Sequence, residues 1–162
     1  MIEVRPATID AAVNGLITDA EADISTLSQP LRSLEEMMSD AVVKVVVDAH
    51  KHALYFSRSP IPHARTTERT IEASARAALA SGLTRKHVGL YVFRRGALDR
   101  FASLEPSPLE PIEQLEQLRA LHHGMTVLVE PVAFSTSVAV DTPADLERVR
   151  LLISSDSTTH SN

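Results

Sequence analysis

The chain contains no cysteine and no tryptophan, and only 4% of its residues are aromatic. The lack of cysteine excludes a disulfide framework and thiolate metal sites, and fits a reducing compartment. With so few aromatics in a chain that is 44% apolar, the core must be built mostly from Val, Leu, Ile and Ala. No run of 18 apolar residues occurs, so no membrane-spanning helix and no membrane partner are expected. The N-terminus has no basic segment leading into an apolar stretch, so no secretory leader is read there. Motifs of the type GxSxG, GxGxxG, HExxH, a Walker loop or an EF-hand loop are also missing, which removes support for hydrolase, nucleotide-loop and zinc-protease chemistry.

What is present is 162 residues, enough for one ordinary domain with a real core. The net charge of −5 is unevenly spread: residues 51–100 hold ten Lys and Arg against Glu68, Glu72 and Asp99, which leaves +7 there and −12 elsewhere. A basic centre in an acidic chain suits a small anionic ligand or an acidic partner face, although a solvated Arg-rich surface explains it equally well. Nucleic acid is not expected, because there is no low-complexity Arg/Lys run and little aromatic interleaving.

The most organised stretch is 101–124. Ser107 is a good N-cap, Pro108 suits the first helical position, and Glu110 lies three residues on, where it can complete a capping box. Leu109, Ile112, Leu115, Leu118 and Leu121 form an apolar stripe, and Gly124 suits a left-handed C-terminus. Pro111 then falls at the fourth helical position and is expected to distort the opening turn.

Elsewhere the pattern predicts a helix over 6–19 with Thr8 as cap, a strand over 23–30, and a short helix over 33–38. Strands over 42–48 and 53–57 make a hairpin whose turn lacks glycine. Residues 59–62 read as extended, and 64–83 as either a weak helix ending at Gly82 or a long mobile excursion. There follow a strand over 86–94, a short helix over 96–101, a strand over 125–131 and a short strand over 138–141. A helix over 143–153 starts with Thr142 as N-cap and Pro143 at its first position, and 154–162 reads as a disordered tail. Alternating helices and buried strands predict an α/β layered domain with a mixed sheet.

Asp141 is the strongest single candidate for chemistry. It stands where a strand meets a capped helix, and a carboxylate there suits Mg²⁺; a turn Asp beside an N-cap is the plainer explanation. His87 and Tyr91, four residues apart on one strand, share a face and can donate to a polyol or carboxylate, or simply pack. Glu116 and Gln117 flank Leu115 and Leu118 and can bind sugar hydroxyls, or be solvated. Arg58 can grip a carboxylate in bidentate fashion, or be exposed. The pairs His50/His52 and His122/His123 are weak metal signals without a third ligand.

Four stretches in order, VVKVVVDAHKHALYFSRSPIPHAR, KHVGLYVFRRGALDRF, PSPLEPIEQLEQLRAL and VDTPADLERVR, resemble the C-terminal part of the CMP-KDO synthetases, the 3-deoxy-manno-octulosonate cytidylyltransferases. The resemblance runs from about Pro6 to Arg150. It implies a Rossmann-like α/β fold and transfer of CMP from CTP to the sugar acid KDO with Mg²⁺, releasing pyrophosphate for lipopolysaccharide or capsule synthesis, in a cytoplasmic homodimer. It makes Asp141 a metal ligand and places His87, Tyr91, Glu116 and Gln117 in the KDO pocket, with Arg58 as partner of the KDO carboxylate.

The chain departs from the family pattern. It has no Ala-Arg…Ser…Arg-Leu-Pro-x-Lys-like CTP loop and no Gln-Gly-Asp-Glu-Pro-like segment with a second metal-binding Asp. His63 and Ala64 follow Pro-Ile-Pro where Trp-x-Arg surroundings are usual, Ala139 replaces a Gly, and Pro111 stands where His is common. The expectation is an incomplete fold lacking its N-terminal nucleotide-binding part: 1–153 as the sugar-acid-binding and dimerisation part, weak CTP binding at most, little turnover alone, and an unpaired sheet edge. The alternatives are a non-catalytic sugar-acid-binding or assembly module of the same descent, or an unrelated small α/β domain.

Overall fold

The computed structural model describes residues 6–133 and Glu147. The expected strand over 138–141, the 154–162 tail, and the helix over 143–153 apart from Glu147 lie outside the described residues. The chain divides into two units, and everything below concerns the larger, Ala7–Phe134.

The chain runs α1 (Pro6–Thr18), β1 (Ile24–Pro30), α2 (Leu34–Met38), β2 (Lys44–Val47), β3 (Ala53–Ser57), α3 (Ile71–Ser81), β4 (Arg85–Phe93), α4 (Arg95–Ser103), α5 (Glu110–Glu113), α6 (Gln117–His122) and β5 (Val127–Pro131). The strands form one mixed sheet in the order β3-β2-β4-β1-β5, with β5 parallel to β1 and the other pairings antiparallel. This is the α/β fold with a mixed sheet that the alternating pattern predicts.

β1 lies second from one end of the sheet and is buried along nearly its whole length, including the polar Ser25, Thr26 and Ser28. Its two faces meet two layers. Ile24, Val45, Phe56, Val127 and Val129 pack with Leu115, Leu118, Ala120 and Met125 into the main core. On the other side Leu16 and Ala22 pack with Leu128. Beside the sheet, Ala75 and Ala78 of α3 close on Met37 of α2. The β5 edge is partly covered: the carbonyl of Lys51 accepts from Val129 N–H at 2.9 Å, and His52 bridges to Leu128.

Local chemistry explains most boundaries. Ser33 caps α2 by accepting from Glu36 N–H, and Thr70 caps α3 by accepting from Ala73 N–H. Gly82 ends α3 with φ 69°, so residues 71–81 take the helical alternative of the two readings of 64–83. The glycine-free hairpin turn is held by Asp48 Oδ1, which accepts from the N–H groups of His50 and His52 at 2.8 Å, while Lys51 takes φ 67°. Thr8 is no cap, since α1 starts two residues before it.

The 101–124 stretch is the main correction. Instead of one helix from Ser107 there are two short ones, α5 and α6, separated by Gln114 in the left-handed region at φ 52°, ψ 49°. Starting at Glu110 puts Pro111 in the first turn, where no N–H is needed, so its position is accommodated. Half of the capping box survives: Glu110 Oε2 accepts from Ser107 N–H at 2.6 Å. The break turns Ile112 away from the stripe, leaving it 78% exposed, while Leu115 and Leu118 stay buried.

Candidate functional site

α4, α6 and the α5–α6 turn stand over β1, β4 and β5 and enclose a cavity of about 400 Å³. Its floor is apolar, from Ile24, Phe93, Phe101 and Val127, and its polar lining comes from Tyr91, Gln114, Glu116 and Gln117. Three of the residues singled out in the sequence, Tyr91, Glu116 and Gln117, therefore share one wall space although they are about 25 residues apart in the chain. An apolar body with a few convergent polar groups is the usual make-up of a small-ligand site.

Tyr91 sits at the rim, its ring 6.3 Å from that of Phe93. Burial, reinforced by the Glu116 carboxylate, raises its phenol above the ordinary range, so it stays a hydrogen-bond donor at neutral pH. Glu116 is exposed and Gln117 half-buried, leaving acceptor and donor groups open to a polyol.

His87 lies behind this wall rather than in it. Four residues of straight strand would separate it from Tyr91 by about 13 Å, yet their ring centroids are 5.5 Å apart. A bulge is the reason: Thr26 and Leu27 of β1 pair with Tyr91 and Val88, so Gly89 and Leu90 are extra on β4. Thr26 Oγ1 stands 2.9 Å from both His87 Nε2 and the Leu90 carbonyl. His87 Nε2–H donating to Thr26, and Thr26 donating to Leu90, satisfies all three atoms. Burial pushes the imidazole down to about 4, so His87 is neutral at pH 7.

Arg58 is not at the cavity. Its Nε donates to the Glu113 carbonyl at 2.8 Å, Nη1 to the Asp40 carbonyl at 2.8 Å and Nη2 to the Gln114 carbonyl at 3.3 Å. The guanidinium is thus engaged by backbone carbonyls at the Gln114 turn, and among the described residues no Lys or Arg lines the cavity. Arg119, paired with Glu110 at 2.7 Å, lies 5.3 Å over the ring of the lining residue Phe101. Below Arg58, the fully buried Lys44 donates to the carbonyls of Ser39 (2.7 Å), Val42 (2.6 Å) and Arg58. Desolvation lowers its ammonium to about 8, opposed by Asp40 and Glu113.

Asp141 lies outside the described residues. Among the described residues no three His, Asp or Glu side chains converge to hold a metal ion. His52 instead pairs with Asp19 at 2.7 Å, and His123 Nε2 lies 3.0 Å from the Glu105 carbonyl. The sequence reading passed over Gln114, Phe101 and Leu98 as lining residues, and Glu113 behind them. The aromatic pair Phe93 and Phe101, 5.6 Å apart, was the available signal.

Residues 4–127 match the family model described as cytidylyltransferase. The chain belongs to the cytidylyltransferase family. Relatives within it include the 3-deoxy-manno-octulosonate cytidylyltransferases of Geobacter metallireducens, 45% identical over 148 residues, and Halorhodospira halophila, 44% identical over 144. These alignments cover 90% and 89% of this chain, but 57% and 55% of the relatives. A solved CMP:2-keto-3-deoxy-manno-octonic acid synthetase complexed with CTP is similar in fold, with a TM-score of 0.78 and 36% identity over 94% of this chain and 58% of that one. The chain thus spans a little over half the length of these cytidylyltransferases.

Proposed function

We propose that this chain carries the sugar-acid side of a 3-deoxy-manno-octulosonate cytidylyltransferase, the enzyme that moves CMP from CTP to KDO and releases pyrophosphate. The observation that carries the reading is the cavity itself: within a chain of this family, Tyr91, Glu116 and Gln117 converge on one apolar-floored space of about 400 Å³. Tyr91 donates to the sugar, and Glu116 and Gln117 take its hydroxyls. His87, neutral and tied to Thr26, supports the Tyr91 ring from behind.

Residues 1–153 form the sugar-acid and dimer-forming part, and 154–162 a tail. The nucleotide side is not among these 162 residues, which contain no Arg-Leu-Pro-x-Lys loop. Asp141 would hold Mg²⁺ together with nucleotide phosphates, where the ion supplies charge neutralisation at the phosphates. On this reading the chain works in the cytoplasm of a cell that makes KDO-containing lipopolysaccharide or capsule, binds CTP weakly at most, and pairs with a second copy.

Two measurements test it. Pyrophosphate release from CTP and KDO with Mg²⁺ is expected to be marginal, and turnover matching the Geobacter metallireducens relative would overturn the division into sides. Calorimetry with KDO alone is expected to show saturable binding that Glu116→Ala weakens; no heat would overturn the sugar-acid assignment. Binding without turnover also fits a non-catalytic sugar-acid module of the same descent.

A further inference from the structure

Gln114 adopts φ 52° and ψ 49° with nothing in its own chemistry to favour it. Left-handed backbone is the habit of Gly, Asn and Asp, not of Gln. The conformation is therefore imposed from outside, and the contacts that impose it form a reciprocal clamp with the end of β3. The Glu113 side chain grips the strand: Oε1 accepts from Ser57 Oγ at 2.7 Å, and Oε2 accepts from Arg58 N–H at 2.9 Å. The Arg58 side chain grips the turn through the carbonyls of Glu113 and Gln114. Lys44 in turn fixes the Arg58 carbonyl from the core side. The clamp is not a simple ion pair, since the guanidinium faces carbonyls and the carboxylate faces the hydroxyls of Ser57 and, at 3.5 Å, Tyr55, and an amide. Two residues beyond Gln114 comes Glu116, then Gln117, with Leu115 buried between as an anchor.

We propose that Glu113 is a positioning residue for the cavity: together with Arg58 it holds the left-handed turn at Gln114 that sets Glu116 and Gln117 on the wall. The inference rests on the sugar-acid reading for its ligand, but its geometric half stands without one. Glu113 does not line the cavity, so it reaches a bound sugar only through the turn. The same arrangement moves Arg58 from carboxylate partner to turn support.

The test uses the full chain and two readouts. The first needs no ligand: backbone chemical shifts of Gln114 by NMR. They are expected in the left-handed range in the wild type and outside it in Glu113→Ala. Unchanged Gln114 shifts in Glu113→Ala would overturn the proposal whatever KDO does. The second is KDO affinity, followed by calorimetry. Glu113→Ala is expected to weaken KDO about tenfold, and Glu113→Ala/Glu116→Ala by less than the product of the two single losses, because Glu113 acts in part through Glu116. Multiplicative losses, or affinity within twofold of wild type in Glu113→Ala, would overturn it. If Glu113→Ala does not fold, Glu113→Gln, which keeps one acceptor oxygen, gives the same two readouts at smaller amplitude. A wild type that shows the left-handed shifts but no KDO binding would defeat the sugar-acid reading and leave the turn assignment to the NMR result.

Discussion

Both α3 and α5 stop at a residue with positive φ. At the end of α3 this is Gly82, with φ 69°, and a Cβ placed there would meet nothing within 4 Å. At the end of α5 it is Gln114, with φ 52°, held by Arg58, just past β3 and more than 50 residues away, and by the grip of Glu113 on that strand end. The first turn is written into the residue type, and the second into tertiary contacts. The α2–α3 layer that the glycine closes is plain apolar packing of Met37, Ala75 and Ala78. The turn that Gln114 makes faces the cavity. The difference fits a division of labour: conventional ends where the chain only has to stop, and an externally enforced one where it has to aim side chains.

The largest expected effect tests the cavity side through acid. The folded-state value of His87, about 4, lies below its ordinary 6.5, so the unfolded chain binds the proton more readily between them. The stability this gives is complete above pH 6.5 and is lost as pH falls towards 4, by at most about 3 kcal/mol. Denaturant unfolding at pH 7 and pH 4.5 should show the fall in wild type and a smaller one in His87→Gln; equal falls would mean the imidazole is not desolvated. Asp19 and Asp48, both lowered first by hydrogen bonds involving His52, lose their contributions at lower pH still.

Next comes Glu113→Ala, which strands Ser57 Oγ and Arg58 N–H and should cost about 2 kcal/mol. A thermal midpoint within 1–2 °C of wild type, on the order of half a kcal/mol or less, would show that the clamp carries no energy. Gly82→Ala should cost about 1 kcal/mol from backbone alone, since the space for a Cβ is open. Gln114→Gly should be smallest, within about 0.5 kcal/mol of wild type, because relief of the left-handed cost and the added freedom of the unfolded chain oppose each other. A Gly82→Ala change that is neutral, beside a Gln114→Gly change that is strongly stabilising, would erase the contrast between the two turns.

The same contrast explains what could be read from the sequence. Gly82 and the β-branched run at β2 act locally, so the strands and the mixed sheet were legible, while 64–83 stayed open between a helix and an excursion. The break at Gln114 was not, because its causes are a carboxylate and a guanidinium on backbone atoms that no spacing reveals. Ile112 followed the stripe only as long as the helix was continuous. Likewise the His87–Tyr91 pairing was legible as a shared face, but the bulge that draws the rings together depends on Thr26 of another strand. Arg58 was picked for its charge, and its partners turn out to be carbonyls. Tyr91, Glu116 and Gln117 were singled out by both their chemistry and the family resemblance, and the fold brings the three onto one cavity lining.

The most direct test of the sugar-acid reading is an NMR titration of the isotope-labelled chain with KDO. The account predicts saturable shift changes concentrated at Tyr91, Gln114, Glu116 and Gln117, with none at the His52–Asp19 pair. An absence of saturable changes, or changes centred away from the α5–α6 turn, would contradict it.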